Sequence, residues 1–151
     1  MEYVIRNCEL KDLADLVTLC AKHAAYERSE YCEADKVSKF HQAIFSENAP
    51  LHCWVVEVDN NIAGYATYTF DFSTWDAGYF LHLDCLYLEE HVRGAAIGKD
   101  IMNNLICEAK KRGCVNIQWQ TPVFNERAIR FYRRMGARST AKQRFTLALQ
   151  D

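Results

Sequence analysis

A glycine-containing turn, R-G-A-A-I-G at residues 93–98, stands between a segment typical of a strand and one typical of a helix. A turn of this kind directs free backbone N–H groups and the positive end of a helix dipole towards an anion, most often a phosphate. The small side chains allow close approach to the backbone, and Arg93 and Lys99 add positive charge. Small residues also serve as a plain tight connection, so the turn alone leaves both interpretations open.

Hydrophobic periodicity predicts the elements that must position this turn. The predicted strands are 3–6, 51–58, 62–72, 79–88, 116–121 and 144–149, and the predicted helices are 10–26, 33–45, 97–112 and 125–135. The order is therefore β-α-α-β-β-β-α-β-α-β. Such an order indicates an α/β fold with a mixed central sheet flanked by helices. At 151 residues we expect a single domain, residues 1–151.

The composition argues against several functional classes. The net charge of −2 gives no bulk attraction to nucleic acid or to acidic membranes, and a cationic substrate fits better. No run approaches the roughly 20 apolar residues of a membrane helix, and the start lacks the features of a signal peptide, so we expect a cytoplasmic protein. The seven cysteines contain no C-x-x-C pair, which predicts reduced thiols and no metal site.

Two longer segments resemble signatures of the Gcn5-related N-acetyltransferase (GNAT) family. L-D-C-L-Y-L-E-E-H-V-R-G-A-A-I-G-K at 83–99 resembles the strand-and-turn signature, and W-Q-T-P-V-F-N-E-R-A-I-R-F-Y-R-R-M-G-A at 119–137 resembles the second one. With V-I-R at 4–6 the likeness spans nearly the whole chain. It implies the GNAT fold, in which the central sheet is mostly antiparallel, and acetyl-CoA as the co-substrate without a metal.

The resemblance also implies which residues contact the coenzyme. The backbone of Leu86, Tyr87 and Leu88 would pair with the pantetheine arm. The pyrophosphate would lie on the turn formed by Arg93, Gly94, Ala95, Ala96, Ile97, Gly98 and Lys99. Asn125 and Ala128 would contact the coenzyme from the other side, although asparagine also suits an N-cap.

Ala96 departs from the family pattern, because a second glycine usually stands at this position. If residue 96 needs a positive φ, its Cβ costs about 1 kcal/mol. We therefore expect weakened or rearranged contact with the coenzyme rather than loss of binding.

The reaction requires a proton donor for the departing thiolate and a group that removes a proton from the amine. Tyr132 occupies the position of the family's general acid, although it would also suit the core face of its helix. Asp84 is the candidate for the amine side of the reaction. Among subfamilies the chain resembles the spermidine/spermine, or diamine, acetyltransferases, which implies contact of Tyr26, Glu27 and Asp84 with the amine. Trp75, in a T-W element, would cover the substrate or lie at a subunit contact.

These residues predict an enzyme that transfers an acetyl group from acetyl-CoA to a primary amine of a small cationic substrate, a polyamine, a diamine or a thialysine-like compound. Spaced carboxylates suit such a polycation because each neutralises one ammonium group. The resemblance implies a homodimer. The alternatives are a protein or aminoglycoside N-acetyltransferase, which would use the same coenzyme site, and a non-catalytic acyl-CoA sensor, which only Ala96 favours.

Overall fold

The computed structural model describes residues 1–149. Met1–Gln120 form one compact unit, and a second unit begins at Thr121. The strands are β1 (Val4–Asn7), β2 (His52–Val58), β3 (Asn61–Ser73), β4 (Gly78–Leu88) and β5 (Ile117–Gln118), and the helices are α1 (Leu13–Tyr26), α2 (Lys36–Phe45), α3 (Ile97–Lys111) and α4 (Glu126–Arg134).

The first unit is built on a five-stranded sheet in the order β1-β2-β3-β4-β5. The first four strands are antiparallel neighbours, and only β5 runs parallel to β4. The predicted α/β class with a mixed, mostly antiparallel sheet is thereby confirmed. Asp59 and Asn60 form the two-residue turn between β2 and β3, with left-handed φ values of +51° and +64°, and Asn61 is already the first residue of β3, so the expected turn lies one residue earlier than its asparagine pair.

One face of the sheet is covered by α1. Because side chains alternate along a strand, Cys53, Val55 and Tyr65 share a face, and all three are buried against the apolar stripe of the helix. That stripe contributes Leu16 and Leu19, at 1% and 2% exposure. At about 25 cal/mol per Å² of apolar surface, this buried layer is a main source of the stability that fixes α1 against β2 and β3.

The opposite face of the sheet is covered by α3. This helix buries the stripe Ile97, Ile101 and Leu105, as its spacing predicts. Beyond the end of the helix, the guanidinium of Arg112 lies 4.5 Å over the ring of Phe70 on β3.

A β-bulge in β4 exchanges the two faces of that strand. Cys85 pairs with Thr67, and Leu83 pairs with Tyr68, so Asp84 is the extra residue. Thr67 and Tyr68 are successive residues on β3 and point to opposite faces, so Leu83 and Cys85 also lie on opposite faces. The bulge therefore turns the last part of β4 towards α1.

Four predicted elements need correction. The strand predicted at 116–121 is reduced to Ile117–Gln118, and the helix predicted at 10–26 begins with a 3-10 turn at Leu10–Asp12 before α1. The predicted strand at 144–149 is not formed, because residues 137–149 have no regular secondary structure. The alternation of Phe145, Leu147 and Leu149 is typical of a strand, but a strand needs a neighbour for its backbone, and the described part of the second unit contains none. Helix α2 begins at Lys36 rather than near residue 33, because Asp35 has a φ of +62° and interrupts the helical geometry.

The predicted helix at 125–135 is confirmed as α4 in the second unit. Among residues 1–149, no helix is long and apolar enough to cross a membrane. The same residues contain no cluster of three or more histidine, cysteine or acidic side chains arranged to hold a metal ion.

Candidate active site

The turn between β4 and α3 has the backbone geometry of an anion-binding site. Gly94 and Ala96 both have left-handed φ values, +85° and +66°, while Ala95 between them does not. Such alternation turns successive N–H groups towards one point. The first helical hydrogen bond runs from the N–H of Asp100 to the carbonyl of Ala96 at 3.1 Å. The preceding N–H groups therefore have no acceptor within the helix.

These donors fit a pyrophosphate. They sit at the positive end of the 15-residue helix α3, and Lys99 on its first turn is exposed. Arg93 plays a different local part, because its Nε donates to the carbonyl oxygen of Leu88 at 2.8 Å. Its guanidinium lies 4.6 Å over the ring of Tyr26 and 5.5 Å over that of Tyr87. Arg93 thus joins the end of β4 to the end of α1.

The strand before the turn leaves part of its backbone edge open. Leu86, Tyr87 and Leu88 pair with β3 on one side. On the other side, β5 pairs with β4 only at Leu81 and His82. The last residues of β4 therefore have a strand neighbour on one edge only within the described sheet, and the other edge can pair with an extended ligand such as a pantetheine arm.

Gly64 on β3 sets the position of the end of β4. A Cβ added there would lie 2.8 Å from the carbonyl oxygen of Tyr87 and 2.6 Å from Cδ2 of Leu88. The carbonyl oxygen of Tyr87 belongs to the backbone of β4, so it cannot move without shifting that strand. Glycine at this position therefore permits close pairing beneath the segment predicted to hold the coenzyme.

The end of α1 brings two predicted substrate residues to β4. Tyr26 and Tyr87 make an edge contact with ring centroids 6.5 Å apart. The carboxylate of Glu27 lies 2.6 Å from Nε2 of His23, and the His23 ring stacks on Tyr87 at 5.2 Å. Tyr26 and Glu27 therefore both adjoin the strand segment 86–88.

The sequence reasoning missed His23. Its Nδ1 lies 2.7 Å from the hydroxyl of Tyr65, and its Nε2 contacts Glu27, so both ring nitrogens are engaged. The i,i+4 spacing of His23 and Glu27 on a predicted helix was the signal that could have found it.

The phenol of Tyr65, which contacts Nδ1 of His23, is a buried polar group. Burial raises the pKa of the Tyr65 phenol, and the neighbouring thiols of Cys85 and Cys20 raise it further, so the phenol keeps its proton. Burial also raises the pKa of Cys85 to about 12, with Asp84 as a second cause. Both cysteines are free, as predicted, and their thiols are not activated.

Asp84 occupies the bulge and is exposed. Its Oδ2 lies 3.7 Å from the sulfur of Cys85. A bulge commonly redirects one side chain out of the regular alternation. Here it presents a carboxylate two residues before the segment 86–88.

Trp75 lies apart from the other predicted substrate residues. It occupies the turn between β3 and β4 and is 95% exposed. From Gly78 to Asp84 the strand runs about 20 Å at roughly 3.3 Å per residue. Trp75 is thus at the far end of the hairpin from Asp84, and its role stays a prediction.

The second unit holds Asn125, Ala128 and Tyr132. The Asn125 side chain accepts a hydrogen bond from the backbone N–H of Ala128 at 3.5 Å and donates to Oγ1 of Thr121 at 3.1 Å. Asn125 is therefore the N-cap of α4, which was one of its two interpretations. Tyr132 is half-buried on α4 next to Phe131, with ring centroids 5.3 Å apart.

Known proteins resemble this chain in sequence and in fold. The chain is similar to a thialysine N-epsilon-acetyltransferase of Sus scrofa, at 27% identity over 89% of this chain and 84% of that protein. It is also 24% identical to human spermidine/spermine N(1)-acetyltransferase-like protein 1, over 91% of this chain and 21% of that protein. A crystal structure of a transcriptional regulator from Bacillus halodurans C-125 superposes with a TM-score of 0.83 at 22% identity, covering 97% of this chain and all of that one.

The profile of the acetyltransferase (GNAT) family matches residues 11–137, which include α1, β4, the turn at residues 93–98 and α4. This match extends over far more than half of the chain and contains both segments that resembled the family signatures. The chain therefore belongs to the GNAT family of acetyltransferases.

Proposed function

We propose that this protein transfers an acetyl group from acetyl-CoA to a primary amine of a small cationic substrate, a polyamine, a diamine or a thialysine-like compound. Membership of the GNAT family implies acyltransferase activity and acetyl-CoA as the co-substrate. The amine class is the finer part of the proposal. The similarity to a thialysine acetyltransferase and to a spermidine/spermine acetyltransferase-like protein supports it.

One observation carries the proposal: the carboxylate of Glu27 is held beside the end of β4. Its contact with His23, which stacks on Tyr87, brings a negative charge next to the strand proposed to hold the coenzyme. Asp84, which is exposed, adds a second carboxylate on β4 itself. Two separated carboxylates suit a substrate with two or more ammonium groups, since each can neutralise one charge while the reacting amine stays free.

When bound, acetyl-CoA supplies the acetyl thioester. The backbone of Leu86–Leu88 would orient it, and an N–H of this segment would stabilise negative charge on the carbonyl oxygen. The N–H groups of residues 94–99 would hold the pyrophosphate. Asp84 would accept the proton of the attacking ammonium, and the Tyr132 phenol would donate a proton to the departing thiolate.

A thiol-release assay with acetyl-CoA and a panel of acceptors tests the proposal. The panel contains spermidine, a diamine, thialysine, an aminoglycoside, a peptide with a free amino terminus and a monoamine with a neutral tail. Turnover of the small cationic amines is expected. Preference for the aminoglycoside or the peptide would support the alternative acceptors, and binding of acetyl-CoA without turnover of any amine would support an acyl-CoA sensor.

A Tyr132→Phe variant tests the proposed acid. Loss of the phenolic proton should lower kcat by about 10²-fold or more, with a smaller effect on the KM for acetyl-CoA. An unchanged rate across the whole pH range would remove Tyr132 from the mechanism.

A further inference from the structure

His23 connects a surface carboxylate to the buried interior. Its side chain is 13% exposed, whereas that of Glu27 is 31% exposed. Nε2 contacts Oε2 of Glu27 at 2.6 Å, and Nδ1 contacts the hydroxyl of Tyr65 at 2.7 Å. The ring is further held by stacking on Tyr87 at an interplanar angle of 25°. The imidazole therefore has little freedom to turn.

The partners of His23 define where its proton lies. Burial raises the pKa of the Tyr65 phenol, so the hydroxyl is protonated and able to donate to Nδ1. The carboxylate of Glu27 is an acceptor only, so the remaining proton of the ring belongs on Nε2. In this arrangement the imidazole is held between the hydroxyl of Tyr65 and the carboxylate of Glu27, to which Nε2 donates.

Two of the neighbouring cations, Lys22 and Arg93, contact groups other than Glu27. Nζ of Lys22 lies 2.7 Å from Glu89, and Nε of Arg93 donates to the carbonyl of Leu88. The contact with His23 uses Oε2 of Glu27. The carboxylate is thus fixed at the end of α1, beside β4.

We propose that His23 is a positioning residue for Glu27, holding its carboxylate beside β4 as the receptor for an ammonium group of the amine substrate. This inference rests on the proposed function and adds a residue to it. A fixed carboxylate binds a cation more tightly than a mobile one, because less side-chain entropy is lost on binding. His23 therefore acts on amine affinity through Glu27.

The test is a double-mutant cycle with His23→Leu and Glu27→Gln, assayed with spermidine and with a monoamine of neutral tail. His23→Leu removes both hydrogen bonds and keeps an apolar side chain. We expect the KM for spermidine to rise about 10-fold, the equivalent of one charge-assisted hydrogen bond. The KM for acetyl-CoA should stay unchanged. The double variant should be no worse than Glu27→Gln alone, because both changes remove the same interaction.

A conservative variant separates positioning from packing. His23→Gln keeps an N–H donor for Glu27, and it should restore the KM for spermidine to within about 3-fold of the original value. Equal losses for spermidine and the neutral-tailed monoamine, or additive effects in the cycle, would overturn the inference. An unchanged KM in the folded His23→Leu variant would overturn it too. Absence of turnover by the unaltered protein would instead refute the proposed function, and the inference with it.

Discussion

Replacing Ala96 by glycine removes the Cβ from an exposed residue whose φ is +66°. The left-handed conformation costs an L-residue about 1–2 kcal/mol, whereas glycine loses about 0.4–1 kcal/mol more chain entropy on folding. The difference predicts that Ala96→Gly raises the free energy of unfolding by about 0.5–1 kcal/mol. For a chain of this length, that is a rise in Tm of about 2 °C.

Ala95 provides the matched control, because it precedes Ala96 in the same turn and its φ is not positive. In Ala95→Gly the chain loses more entropy on folding and no backbone strain is relieved, so the free energy of unfolding should fall by about 0.4–1 kcal/mol. Denaturant unfolding of both variants measures the two changes, and calorimetry with acetyl-CoA measures whether Ala96→Gly also binds the coenzyme more tightly. Shifts of the same sign in both variants would refute the reasoning from backbone conformation.

Three further substitutions test other parts of the structure. Gly64→Ala should lower the free energy of unfolding by about 1–3 kcal/mol and weaken acetyl-CoA binding, because its Cβ would lie 2.8 Å from the Tyr87 carbonyl oxygen. Thermal unfolding measures the first effect and calorimetry the second. An unchanged affinity for acetyl-CoA would contradict the role of the β4 edge. Asp12 is 3% exposed and bound by Arg6 at 2.7 and 3.1 Å. Burial alone would raise its pKa, but the hydrogen bonds from Arg6 and from the N–H of Glu9 outweigh burial and lower it. The stabilisation by the Asp12 carboxylate is therefore present above about pH 4 and lost as the pH falls further. Asp12→Asn should lower the free energy of unfolding by roughly 2 kcal/mol at pH 7 and by progressively less in acid. A loss of the same size at every pH would contradict this. Asn125→Ala should destabilise α4 by about 1 kcal/mol, whereas Asn125→Asp keeps the cap; equal losses by circular dichroism would argue against capping.

Much of the fold could be predicted from the sequence, because the strands and helices show clear hydrophobic periodicity. The stripe of α3 and the alternation of β2 and β3 need only the geometry of one element. The prediction of a strand at 144–149 was wrong, because strand formation depends on more than the geometry of one element. The alternating side chains of this segment satisfy the local pattern, but a strand depends on a neighbouring backbone, which no local pattern supplies.

The site was predictable where it depends on backbone, and less so where it depends on side chains. The turn at residues 93–98 was found from its small residues, and the strain expected at Ala96 agrees with its positive φ. The bulge at Asp84 depends on the register between β3 and β4. The contacts of His23 join α1 to Tyr65 on β3, 42 residues along the chain. The β3–β4 register and the contact of His23 with Tyr65 follow from tertiary packing, whereas only the i,i+4 pair of His23 and Glu27 had a local sequence signal.

The proposed recognition of a cationic amine can be tested by a ratio of specificities. The measurement is kcat/KM for spermidine divided by that for a monoamine with a neutral tail, in the unaltered protein and in the Glu27→Gln variant. The Glu27 carboxylate should contribute about 10-fold to the preference for the polycation, so the ratio should fall by about 10-fold while the KM for acetyl-CoA stays constant. An unchanged ratio, with both substrates affected equally, would contradict the account.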